Sequence, residues 1–246
     1  MIKAGIIGAA GYTGGELMRI LAAHPQVELV YAHSRSQAGQ RADEWHEGLL
    51  GASSLRFSAE LRFDFDLLFL CMGHGESAKL LAEHSLPEDL LIIDLSQDFR
   101  WAPGFVYGLP ELQRAAIRQS RRIANPGCFA TAIQLALLPL AQAQLLQADV
   151  HVNAITGSTG AGQAPQPTTH FSWRNNNVSV YKPFGHQHLA EIRQSLAQLQ
   201  PGFGPPVHFI PWRGNFTRGI FASLYTDTHL SQDELIQLYE AYYADH

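Results

Sequence analysis

The chain has 246 residues, of which 46% are hydrophobic and 16% charged, with a formal net charge of -5. That length suits one large α/β domain or two smaller ones, and the composition is that of an ordinary globular protein rather than a fibrous or disordered one. The acidic balance argues against nucleic acid as a partner; no apolar run reaches membrane-spanning length, and the N-terminal run is too short for a secretory signal, so we expect a cytoplasmic protein with no membrane partner.

The first elements read as strand, glycine turn and helix. Residues 3–7 read as a strand, apolar after Lys3, Gly8-Ala9-Ala10-Gly11-Tyr12-Thr13-Gly14-Gly15 is the turn, and residues 16–23 carry Leu17, Ile20 and Leu21 on one helical face. Gly8-x-x-Gly11-x-x-Gly14 is a variant of the dinucleotide fingerprint. Its glycines allow a tight turn and close backbone approach to a pyrophosphate, and the following helix aims its N–H groups at the phosphates. Such spacing is weak evidence alone, since a plain strand–helix turn can share it, but here it stands in the required context. A second strand at 28–32 leads into His33-Ser34-Arg35-Ser36. No acid is present for a ribose 2′-hydroxyl, whereas a hydroxyl and a guanidinium suit a 2′-phosphate, so NADP is the expected cofactor. A solvated loop arginine is the competing reading.

Residues 65–70 and 90–95 are short runs, apolar apart from Asp66 and Asp94, the pattern of strands buried on both faces of a parallel sheet. Together with the first elements they predict a doubly wound Rossmann-type parallel sheet. Arg100 follows in Leu95-Ser96-Gln97-Asp98-Phe99-Arg100, just past a buried strand, where such sheets build their sites.

The run Ile123-Ala124-Asn125-Pro126-Gly127-Cys128 then puts a thiol after a Pro-Gly turn and ahead of an apolar helix predicted over 129–146, with Pro139 as a kink. A cysteine at a helix N-terminus faces unpaired N–H groups and the positive end of the dipole, which favour the nucleophilic thiolate. A free cysteine is otherwise a small buried apolar residue. Cys71 and Cys128 form neither a CxxC pair nor a zinc-ligand spacing, so neither a disulfide nor a metal is expected.

Beyond the helix, a strand at 150–155 precedes the small-residue loop Thr156-Gly157-Ser158-Thr159-Gly160-Ala161-Gly162 and a Pro/Thr/Asn-rich segment. Gly185-His186-Gln187-His188 stands before a further helix. An imidazole titrates near neutrality, so one of this pair can take a thiol proton and later protonate an oxyanion; metal ligation competes, without an evident partner cluster. Arg213 and Arg218 lie in a turn-rich segment between strands at 207–210 and 219–225, and an arginine fork fits carboxylate or phosphate. A helix at 232–243 ends the pattern. The expected division is a dinucleotide-binding domain at 1–146, with Cys128 near its end, and an α+β substrate domain at 147–246.

Five segments carry a resemblance to the N-acetyl-gamma-glutamyl-phosphate reductases: Gly8 to Leu17, Asp94 to Arg100, Tyr107-Gly108-Leu109-Pro110-Glu111-Leu112, Asn125-Pro126-Gly127-Cys128 with Thr131, and Gly185 to Ile192. The glycine motif alone also suits aspartate-semialdehyde dehydrogenase, and a non-catalytic dinucleotide-binding fragment is a second alternative. The resemblance implies reduction of an acyl phosphate to an aldehyde with Cys128 as nucleophile and one of His186 and His188 as acid/base, His186 being favoured. It implies cofactor contacts from Gly8, Gly11, Tyr12, Thr13, Gly14, Ser34, Arg35 and Gly160. Substrate contacts would come from Arg100, His188, Glu191, Arg213 and Arg218, and self-association into a homo-oligomer is implied. Met72-Gly73-His74-Gly75 stands where the family usually has a Pro-His-Gly turn. Family members continue past the equivalent of His246 with further strands and a closing helix, so a second domain shortened at its C-terminus is expected.

Overall fold

A computed structural model describes residues 1–245 as two compact units, Met1–Gly108 with Ala115–Asn125, and Leu109–Arg114 with Pro126 onward. The first holds β1 (Ile2–Ile7), α1 (Tyr12–Ala22), β2 (Val27–His33), α2 (Ala42–Trp45), β3 (Leu67–Leu70), α3 (Glu76–Glu83), β4 (Leu91–Asp94), β5 (Val106–Tyr107) and β6 (Arg122–Ala124). The helix α4 (Pro110–Gln119) carries a non-helical residue, Gln113, and is divided between the units.

The strands form one sheet in the order β2-β1-β3-β4-β6-β5, with every neighbouring pair parallel. The apolar runs explain this. In β3, Leu67 and Phe69 pack with Ala4, Ile6, Met18 and Leu21 on one face. Leu68 and Leu70 pack with Ile7, Leu80, Leu90 and Ile92 on the other. A strand buried on both faces needs no polar alternation. Strand order reverses at β1, which lies between β2 and β3, so the carboxyl ends of β1 and β3 flank the crevice where such sheets bind ligands.

Two residues of the Leu95–Arg100 run act here as structural ties. Asp98 accepts hydrogen bonds from Gly75 N (2.7 Å) and Ala78 N (3.0 Å), capping α3, whose own N-cap glycine has no side chain to offer. Arg100 is buried and donates through Nε to Asn125 O (3.0 Å) and through Nη2 to Leu95 O (3.4 Å).

The second unit contains α5 (Cys128–Gln142), β7 (Val150–Thr156), α6 (Phe171–Arg174), β8 (Ser179–Val180), α7 (His188–Leu199), β9 (Val207–Arg213), β10 (Ile220–Tyr225) and α8 (Gln232–Tyr243). Its sheet runs β10-β7-β9-β8 and is mixed, with β7 and β9 parallel and the outer pairs antiparallel. Burial alternates along β7, and Val150, Val152 and Ala154 face a core built with Phe129, Ile133, Leu137, Ile192, Leu196 and Phe209. The helices therefore cover one face only.

The units divide at Asn125/Pro126, not at the expected 146/147. The reason is packing: the apolar side of α5 lies against α7, β7 and β10, so the helix that starts with Cys128 belongs to the second core. Pro139, expected to kink α5, removes the N–H that would bond Leu135 O. Tyr243 donates its hydroxyl to Leu135 O, and Tyr239 donates to Ala136 O, so α8 satisfies the carbonyls beside the proline. No described helix is long and apolar enough to cross a membrane.

Candidate active site

In the first unit the glycine turn follows β1 and opens α1, with Gly11 as its N-cap. Gly8 has φ +84°, and a Cβ there would lie 2.3 Å from the carbonyl oxygen of Cys71, just past β3. Gly14 is equally constrained, since its Cβ would meet Ala9 Cα and O at 2.6 Å. The turn is bonded to the end of β2 through Ala9 N to His33 O (3.0 Å). It is braced from outside by Trp45 Nε1 on Ala10 O (2.9 Å) and His46 Nε2 against Ala9 O (2.8 Å). Backbone N–H groups at a helix start behind a turn of glycines and alanines are the cradle a pyrophosphate requires, so this region fits a dinucleotide. Tyr12 and Thr13 are exposed in the first turn of α1.

Past the ends of β1 and β2 lies a cleft of about 200 Å³ lined by His33, Arg35, Met72, Lys79, Leu80 and His84, among others. Arg35 is exposed, and Ser34 is buried with its hydroxyl 3.3 Å from that of Ser36. Burial pushes the His33 imidazole below its ordinary range. Lys79 on α3 is a second cation facing this cleft that sequence reading missed, because its place depends on where α3 packs. Cys71 is not a second nucleophile: desolvation, with Asp94 nearby, pushes its thiol up to about 12.

In the second unit Cys128 is exposed and is the first residue of α5. Its predecessor Gly127 is buried and held at both backbone groups. Gly127 N–H donates to Glu191 Oε2 (2.9 Å), and Gly127 O accepts from Thr131 N (2.8 Å) and Thr131 Oγ1 (3.0 Å). Its φ of -68° is open to any residue, so glycine is required for space instead. A Cβ would lie 2.5 Å from His188 Nε2 and 2.7 Å from Glu191 Oε1. This close approach brings the first turn of α7 against the Cys128 turn.

His186 and His188 are both buried, with ring centroids 4.6 Å apart. His188 N–H donates to His186 Nδ1 (3.2 Å), so the neutral His186 ring carries its proton on Nε2. Desolvation, then the neighbouring His188 and Lys182, push His186 down to about 4, while Glu191 acts in the opposite direction. Its ring packs edge-on to Phe129, Tyr181 and Phe209. Arg213 stacks over Tyr181 with its Cζ 4.6 Å from the ring centroid. Burial pushes the Tyr181 hydroxyl up to about 12, with Arg213 opposing the shift and Cys128 adding to it. Cys128, the imidazole pair and Arg213 thus share one neighbourhood. Tyr181 was missed because nothing in its spacing marks it.

The other expected residues fall as follows. Gly160 lies in the second unit, in an exposed 3-10 turn over Ser158–Ala161. That loop is tied to the segment bearing Arg218 by Ser158 N to Phe216 O (2.8 Å) and Thr159 N to Thr217 O (3.1 Å), and Arg218 is exposed beside it. Glu191, expected to touch substrate, is buried against Gly127 and His188 Nε2 (3.8 Å), not presented to solvent. Arg174 is a buried tie that sequence reading did not flag. It donates to Thr168 O, Asn177 O, Arg213 O and Ser179 Oγ, holding the Pro/Thr/Asn-rich loop to the end of β9. On the open sheet face His208 bonds Asp149 (2.7 Å) and stacks on His151 at 4.9 Å. These three bring ligand atoms within 4.8 Å of one another.

Comparison with known proteins identifies the family. The family described as semialdehyde dehydrogenase, NAD binding domain matches residues 3–120. The one described as semialdehyde dehydrogenase, dimerisation domain matches residues 128–246. N-acetyl-gamma-glutamyl-phosphate reductase of Bacteroides thetaiotaomicron is 56% identical over 248 residues, covering 99% of this chain and 77% of that one. That of Flavobacterium johnsoniae is 52% identical over 250 residues, with 99% and 77% covered. Among solved structures, aspartate semialdehyde dehydrogenase II of Vibrio cholerae superposes with a TM-score of 0.72 at 17% identity, over 97% of this chain and 78% of that one. The Candida albicans aspartate semialdehyde dehydrogenase with NADP gives 0.65 at 14%, over 97% and 75%. At such low identity the structures speak for the fold, and the family rests on the close relatives: the chain belongs to the N-acetyl-gamma-glutamyl-phosphate reductases, within the semialdehyde dehydrogenases.

Proposed function

We propose that the chain reduces N-acetyl-gamma-glutamyl phosphate to N-acetylglutamate 5-semialdehyde and phosphate with NADPH, a step of arginine biosynthesis. The observation that carries this reading is an exposed cysteine at the start of α5, its turn pinned beside a buried histidine pair. Relatives that share more than half of its residues bear the reductase name.

The Cys128 thiolate attacks the acyl carbon, forming a thioester and breaking the bond to phosphate. The N-terminus of α5 stabilises the thiolate before attack. Cys128 reacts as this thiolate, and His186, whose Nδ1 already accepts His188 N–H, acts through its Nε2–H as a donor to the departing phosphate. A bound NADPH supplies the hydride that reduces the thioester. The resulting hemithioacetal oxyanion expels the thiolate as the aldehyde forms, which returns Cys128 to its starting state. His188 and Arg213, with Arg218 in the adjoining segment, provide donors for the substrate's anionic groups. Arg100, also expected to bind substrate, is buried in the first unit and donates there to Asn125 O and Leu95 O.

NADP in preference to NAD is supported by Ser34 and Arg35 after β2, together with Lys79 facing the same cleft. Self-association is supported by the dimerisation-domain family match. It is also supported by the open face of the mixed sheet, where Phe221 and Tyr225 stay exposed. A second copy of this chain is the occupant that fits, and Phe221→Glu should lower the mass measured by sedimentation. The direct test of the reaction is Cys128→Ala. It should abolish phosphate-dependent reduction of NADP by the semialdehyde, and near-wild-type activity would refute the thioester route.

A further inference from the structure

Glu191 stands on α7, 64 residues from the turn it touches, and is among the most buried ionisable side chains in the second unit. Its two oxygens face different partners: Oε2 accepts from Gly127 N–H at 2.9 Å, and Oε1 lies 3.8 Å from His188 Nε2. Thr131 holds the carbonyl of the same glycine twice, from its own N–H and its hydroxyl. The peptide unit that leads into Cys128 is therefore fixed at both ends, one tie local and one from another helix. Neither oxygen of Glu191 reaches the surface, which separates it from a group that grips substrate.

We infer that Glu191 is a positioning residue: by accepting the Gly127 N–H it holds the Cys128 turn in register with the histidine-bearing start of α7. Its reach does the work. A side chain one methylene shorter cannot span from α7 to Gly127, whereas an amide of equal length can still accept that hydrogen bond. Loss of the tie lets Cys128 and the His186–His188 pair drift relative to each other, and misplacement of reacting groups by about 1 Å costs on the order of 10²-fold in rate. The Gly127 position reinforces the same conclusion, because His188 and Glu191 fill the space a side chain would need.

This inference rests on the reading of Cys128 as nucleophile, and the experiment separates the two. Steady-state kinetics of Glu191→Asp, Glu191→Gln and Cys128→Ala are compared, with thermal melts to confirm folding. Glu191→Asp should lose about 100-fold in kcat with KM for the acyl phosphate within about threefold of wild type. Glu191→Gln should recover to within about tenfold of wild type, and the rate of Cys128 alkylation by iodoacetamide should follow the same order. An Asp variant as active as the Gln variant or more so would overturn the inference, as would a loss confined to KM, which would make Glu191 a substrate ligand. An active Cys128→Ala protein would instead sink the nucleophile reading itself. An inactive Cys128→Ala with an unimpaired Glu191→Asp removes only the positioning role.

Discussion

In the first unit α1 begins behind a turn whose glycines abut main-chain atoms and whose carbonyls are held by Trp45 and His46, whereas in the second α5 begins behind a glycine that abuts side chains and whose N–H is held by Glu191. Gly8 and Gly14 are glycines because main-chain atoms of Cys71 and Ala9 lie where a Cβ would go. Gly127 is a glycine because His188 and Glu191 lie there. The first arrangement leaves N–H groups open for a ligand's phosphates; the second directs the helix start toward its own thiol and closes the space behind it. A helix N-terminus can serve as a phosphate cradle or as a mount for a thiolate.

Substitutions can break this contrast from either side. The largest effect is expected from Gly8→Ala, which meets a positive φ and a backbone oxygen together. It should weaken NADPH binding by about 100-fold or more and cost about 1–3 kcal/mol of stability. A fluorescence titration and a thermal melt measure both, while Cys128 alkylation should be unchanged. Gly127→Ala should do the reverse, cutting kcat by about 10- to 100-fold with NADPH titration unaltered. If both substitutions impaired both readouts equally, the contrast between the two turns would fail.

A third expectation concerns acid stability. The His186 imidazole is held at about 4 against an ordinary 6.5 by burial and by His188 and Lys182. The unfolded state therefore binds more protons between those values. Stability from this group is complete above pH 6.5 and falls as the pH drops toward 4, by at most about 3 kcal/mol. Urea unfolding at pH 7 and pH 4.5 should show a smaller decline for His186→Gln than for wild type. The smallest effect is that of Arg35→Ala. Exposed charges are screened, so the kcat/KM preference for NADPH over NADH should fall about tenfold, and no change would remove Arg35 from the cofactor reading.

The two units also differ in how far they could be read in advance. The Rossmann-type sheet was legible because its signals are local: apolar strands and a glycine turn between strand and helix. The weaker elements were not, since β5 and β8 have two residues each and are strands only through their neighbours. The domain boundary was misplaced because nothing local says that α5 packs on α7 rather than on the first sheet. Cys128 and the histidine pair stood out by residue type and spacing. Tyr181, Lys79 and the buried tie made by Arg174 did not, because each acquires its place from tertiary packing. Glu191 was noticed, but its burial against Gly127 depends on contacts 64 residues apart.

The central claim is that the second unit holds the substrate's acyl group on Cys128 before any hydride moves. Protein mixed with N-acetyl-gamma-glutamyl phosphate without NADPH, quenched in acid and digested, can be examined by mass spectrometry. The account expects an N-acetylglutamyl adduct on the peptide containing Cys128, discharged on addition of NADPH. An adduct on another residue, or none from protein that still turns over, would contradict it.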